Sequence, residues 1–157
     1  MTTKTWSEAL RDGVISGGIA GAATAAVAAW CGLRETGSAV APINATSHVV
    51  HGEEAAGVTR VDLAHTGIGL PIHVGSAMLW ATLYERMFGA AADRGEIGKA
   101  LAGAYAVSAL AYLTDYHAVP KRLTPGWEER VSGRSLSLIY AALALSLPLR
   151  GLLRARD

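Results

Sequence analysis

Five histidines, His48, His51, His65, His73 and His117, carry most of the chemistry this sequence could do. Neutral imidazoles beside carboxylates are the ligand set of zinc, iron, copper, nickel or manganese, and helical proteins build such sites from facing helices. His65, Gly69 and His73 follow one another at intervals of four, which sets His73 about two turns beyond His65 on an adjoining helix face, with Asp62 one turn before His65. Gly69 is expected to leave open space between the two rings. Asp115 and His117 are close in the chain, and Asn44, His48 and His51 share one face of a helix begun at Pro42. The expected site is a transition-metal centre, with haem as the less favoured cofactor, built from His73, His65, Asp115 and His117 and closed from above by His48 and His51. Its chemistry would be redox, or hydrolysis of a lipid-like substrate by a metal-bound water of lowered pKa. No compact motif of the HExxH kind supports it, so the argument rests on convergence, and each histidine singly reads more simply as a hydrogen-bonded helix-end residue. Ser47 and Cys31 are the candidate nucleophiles of a metal-free hydrolase, neither with a base at a diagnostic spacing. Glu53 and Glu54 read as solvated.

Long apolar helices must position these groups. A chain of 157 residues that is 51% hydrophobic and 17% charged is neither disordered nor polyelectrolyte-like. A net charge of +1 without a basic stripe excludes nucleic acid as a partner. The single Cys31 excludes an intrachain disulfide and any CxxC site. A helix crossing a bilayer needs about 20 apolar residues. Gly13 to Leu33 and Leu63 to Tyr84 contain no Asp, Glu, Lys or Arg; Ala100 to Pro120 carries Asp115 and His117 near its end. Ser135 to Leu149 is shorter and reaches span length if Arg150 snorkels. The expected fold is all-α: a polytopic membrane protein of one integral membrane domain, residues 1–157, with four transmembrane helices in an up-down bundle. The spans fall at about 13–33, 64–88, 100–119 and 134–153, and a short interfacial helix lies in the first outer loop.

A soluble bundle needs polar helix faces, whereas the first run offers only Ser16 and Thr24 as polar side chains. A cleaved signal peptide is disfavoured by Glu8 and Asp12 beside Lys4 and Arg11, and lipoprotein processing at Cys31 by Trp30 before it. Lys4, Arg11, Arg86, Arg94, Lys99, Arg150, Arg154 and Arg156 fall on the side of the termini, against Arg34, Arg60, Lys121, Arg122, Arg130 and Arg134 on the other. That bias predicts both termini cytoplasmic and all five histidines outside. Trp6, Trp30, Trp80, Tyr84 and Phe88 fit interfacial depths, and Thr5 with Glu8 has the spacing of a capping box.

Gly13, Gly17 and Gly21, continued by Ala25 and Ala29, form a small-residue stripe that packs either within the monomer or against a second copy. The second functional reading follows from it: a non-enzymatic membrane subunit or homo-oligomeric scaffold, with membrane lipid and a partner subunit as its contacts. Tyr105, Ser108, Tyr112, Asp115 and Tyr116 recur at intervals of three and four, giving one polar face that is either a proton or substrate path or a set of tyrosines bonding across the bundle. Pro71 is expected to bend its helix between His65 and His73. Asn44-Ala45-Thr46 matches a glycosylation pattern, and Thr124-Pro125 followed by Glu128 and Glu129 predicts a brief interfacial helix.

The stretch YLTDYHAVPKRLTPGWEERVSGRS, residues 112–135, has an Asp-Tyr pair, then Val-Pro, then Arg-Leu-Thr-Pro-Gly. It resembles a segment of a family of small four-helix bacterial inner-membrane proteins. The resemblance implies a membrane location and carries over neither an activity nor a functional residue.

Overall fold

The computed structural model describes residues 3–156, and the described residues are helices, turns and loops with no strand. The first helix, α1 (Trp6–Thr36), begins at the expected capping box: the Thr5 hydroxyl accepts from the Glu8 N–H at 3.3 Å, and Glu8 accepts from the Thr5 N–H at 2.8 Å. It ends at Gly37, whose φ of +74° is the left-handed conformation that closes many helices. The linker folds into α2 (Ala41–Thr46) and α3 (His48–His51), and α2 is buried throughout. Asn44 anchors it by donating to the carbonyls of Val58 (3.0 Å) and Arg60 (2.9 Å) and accepting from the Thr66 hydroxyl (2.7 Å). The glycosylation match is thereby overturned as a site in this fold, because the Asn44 amide is fully buried and bonded.

Helix α4 (Thr66–Tyr84) runs on through a π turn, Glu85–Gly89, into the short α5 (Ala90–Asp93). Helix α6 (Ile97–Leu113) likewise ends in a π turn, Thr114–Ala118. The chain closes with α7 (Gly133–Ser146) and α8 (Leu149–Arg154), separated at Leu147 and Pro148. Three stretches, Trp6–Thr36, Ile97–Ala118 and Gly133–Arg154, are long and apolar enough to cross a membrane. The 19-residue α4, which holds Pro71 and His73, is not among them.

The glycine stripe faces the chain's own α4. A side chain at Gly13 would run into Thr82 and one at Gly17 into Met78, while Gly21 lies against Val74 and Ala77. This ascending and descending order makes α1 and α4 antiparallel, and the stripe is covered, so these glycines are not free for a second copy. Glu35 at the far end of α1 accepts from the Ser132 N–H (2.6 Å) and from the Ser135 hydroxyl, tying α1 to the start of α7. The Ser108 hydroxyl donates to the Tyr140 carbonyl (2.6 Å) between α6 and α7. The polar face expected along α6 is split, since Ser108 is buried whereas Tyr105 and Tyr112 are exposed. At the opposite end of α4, Phe88 fills the space left by Gly103 and Tyr84 donates to the Ala100 carbonyl (3.3 Å).

Candidate functional site

Two buried polar sites emerge, one near each end of α1. Near its start, the Lys4 ammonium lies 2.8 Å from Asp12, 2.6 Å from Glu85 and 2.7 Å from Asp93. Arg150 reaches Glu85 at 3.0 Å, Asp93 at 2.8 Å and Asp12 at 3.3 Å, and the Ser16 hydroxyl donates to Glu85. Arg150 therefore does not snorkel: the arginine is turned inward onto three carboxylates, its side chain only 10% exposed. Burial works against the Lys4 charge, but hydrogen bonds to Asp12, Asp93 and Glu85 outweigh it and hold its pKa above the ordinary lysine value. Every acid here has a base, the pattern of a structural tie.

The other site is a cavity of about 70 Å³ walled by α1, α4, α7, the π turn after α6 and the loop at 123–127. Its lining includes Thr24, His73, Trp80, Asp115, Trp127 and Tyr140 among apolar side chains such as Ile72, Ile139 and Leu143. Exposed Ser76 and Leu123 mark its mouth. His73 is 5% exposed and its Nε2 lies 3.0 Å from the Gly21 carbonyl and 3.1 Å from the Thr24 hydroxyl. A carbonyl only accepts, so Nε2 carries the proton and Nδ1 the lone pair; the Thr24 hydroxyl, donating to the Ala20 carbonyl at 2.7 Å, fits as a second acceptor. Nδ1 itself has no hydrogen-bond partner among the described residues. The Trp127 ring lies 5.4 Å from His73, is 6% exposed and keeps its indole N–H buried without an acceptor.

Asp115 accepts from the Tyr140 hydroxyl at 2.6 Å, and Glu128 accepts from the Thr124 hydroxyl at 2.7 Å. Among the described residues no Lys, Arg or His nitrogen lies within ion-pair distance of either carboxylate. Here the acids have no base.

None of the remaining histidines lines this cavity, although His48 bonds a residue that does. His48 Nε2 donates to the Thr124 carbonyl (2.8 Å) and His51 Nε2 to the Ala64 carbonyl (2.9 Å). The His51 and His65 rings are 4.8 Å apart, and His65 Nδ1 lies 3.1 Å from Asp62. Hydrogen bonds from the His65 backbone and ring hold the Asp62 carboxyl below its ordinary value. His117 packs edge-on against Tyr112 at 5.8 Å. Among the described residues, no group of three or more His, Cys, Asp or Glu stands where it could hold a metal ion. The cavity itself supplies His73 and Asp115, two donors where a transition-metal site takes three or four, so this donor set does not fit such an ion. Gly69 does not open space between His65 and His73; the Ile43 carbonyl of α2 fills the place of its missing side chain. Ser47 donates to the Asn44 carbonyl (2.7 Å) and Cys31 is buried in the core.

No family model, no curated protein and no solved structure matches this chain. The site is read from its own geometry. Sequence reasoning had placed His73 and Asp115 at one end but missed Trp127, Tyr140 and Glu128. Thr24 carried a signal, being one of two hydroxyls in the first apolar run.

Proposed function

We propose that this protein is a four-span integral membrane protein, an up-down bundle with both termini cytoplasmic, that binds a small amphipathic molecule in the cavity beside His73. The fourth span is α4: it packs antiparallel along α1 from Gly13 to Gly21 and so shares its depth. The excess of Lys and Arg on the side of the termini favours the orientation. The observation that carries the binding reading is His73, more than nine-tenths buried, with its Nδ1 lone pair without a partner among the described residues, in a cavity whose walls are mostly apolar with a few polar groups such as Asp115 and Thr24. Apolar walls with a few inward polar groups are the usual make-up of a small-molecule site.

Native mass spectrometry of untagged protein released gently from membranes tests this, with bound metals measured in the same samples. An organic adduct on the wild type that is absent from His73→Phe is expected. Bare protein in both, or a stoichiometric metal lost in the variant, overturns the reading. For the topology, Gly57→Cys and Gly98→Cys in a Cys31→Ala background are expected to react with an impermeant maleimide from opposite sides; both glycines have no neighbouring atoms within 4 Å of the added carbon.

A further inference from the structure

We infer that the ligand of this cavity is a protonated alkylamine, its ammonium held between Asp115 and His73 and its chain leaving through the mouth at Ser76; this rests on the binding reading above. The ionisable groups on this side of the ligand are acceptors, with the Trp127 N–H as an unpaired donor beside them. Asp115 is a carboxylate whose sole hydrogen bond is from Tyr140, and the second carboxylate nearby, Glu128, adds to the negative potential instead of relieving it. A membrane-embedded acid without a base is costly, and such residues mark the place of a proton or a cationic partner. His73 Nδ1 adds an acceptor on a side chain that is only 5% exposed, an independent sign that a donor is missing from the cavity. Trp80, Trp127 and Tyr140 supply aromatic rings, whose faces attract ammonium groups.

The same groups select among cations. A quaternary ammonium has no N–H and would leave Nδ1 unsatisfied, whereas a primary ammonium has three donors, enough for Asp115 and His73 together. At about 70 Å³ the cavity takes a head group and the first carbons of a chain; apolar cavities of about 150 Å³ are known to hold a whole benzene. The Ser76 mouth lies on α4, where the rest of an aliphatic chain meets lipid.

Isothermal titration of the detergent-purified full chain with hexylamine and with 1-hexanol, at neutral pH, tests the charge with chain length held constant. Hexylamine is expected to bind at least about tenfold more tightly than hexanol, with hexyltrimethylammonium between them, and Asp115→Asn is expected to erase the difference while leaving hexanol binding in place. The wild-type comparison stands even if that variant folds poorly. Equal binding of amine and alcohol, abolished for both when Ala77→Phe fills the cavity, overturns the charge inference and leaves the cavity as a binding site. Binding of neither overturns both.

Discussion

Glu85 and Asp115 occupy equivalent places in the chain, each on a π turn that extends a long apolar helix, yet their surroundings are opposite. Glu85 is 1% exposed and receives Lys4, Arg150 and the Ser16 hydroxyl. Asp115 is half-buried and receives one phenol. A π turn inserts an extra residue into the helical register and swings the following side chains to a new face, which is one reason such turns recur at functional sites. The first π turn delivers its acid to two bases and makes a tie between α1, α4, α5 and α8. The second delivers its acid to a cavity wall. Where the acids are already matched the fold keeps them, and where they are unmatched a position is left for something else.

The largest effect should come from unbalancing the matched end. Arg150→Met removes the one guanidinium that reaches Asp12, Glu85 and Asp93 together, and losing one partner of a buried charge network costs about 3–5 kcal/mol. Thermal melting in detergent should fall accordingly, whereas Asp115→Asn, which keeps an acceptor for Tyr140, should cost less than about 1 kcal/mol. Equal losses would erase the distinction between the two ends.

The pH dependence sharpens it. The Lys4 pKa is raised in the folded state, so its stabilisation is complete below the ordinary value of 10.5 and is lost as pH rises through the higher folded value. Wild type should lose melting temperature in that alkaline range more steeply than Lys4→Met; parallel curves would assign the loss to other groups.

A smaller effect should come from the contact that holds the two ends in register. Gly17→Leu drives a side chain into the Met78 backbone, and overpacking of this kind costs about 1–3 kcal/mol, while Gly18→Leu, which meets no atom within 4 Å, serves as the control. The smallest is local. Asp62 accepts from the His65 N–H at 2.6 Å, and its lowered pKa means that this cap is intact above the usual carboxylate range and is lost as pH falls through the folded value. Protection of the His65 amide, taken relative to its intrinsic exchange rate at each pH, should fall over that acidic range in wild type, and change far less with pH in Asp62→Asn.

Much of the architecture was legible because run length and composition are local properties. The uncharged stretches become long helices, and the Thr5/Glu8 cap forms as its spacing requires. Ser16 and Thr24 were visible as the two hydroxyls in the first run, and each meets the key group of its own end, Glu85 and His73. What stayed hidden depends on contacts distant in the chain. Gly69 announces a close approach without saying that the Ile43 carbonyl makes it. Arg150 is followed by a helix end in sequence and reads as snorkelling, because its carboxylates lie 57 or more positions away. The π turns have no compositional mark, so the acid at position 115 was placed near the right end without the Trp127 and Tyr140 beside it. The expected metal centre drew its force from five histidines on one side, but the structure spreads them, with His48, His51 and His73 bonded to three separate backbone carbonyls, and carbonyl partners leave no trace in residue identity.

The matched network also fixes an order of biogenesis. Of its six charged members, counting Arg11 at 3.1 Å from Asp12, Arg150 is the last to be synthesised. Until it emerges, Asp12, Glu85 and Asp93 lack the guanidinium that reaches all three of them. A chain halted before α8 has more carboxylates than bases at this end of its helices. Arrival of the last helix acts as a checkpoint on completion.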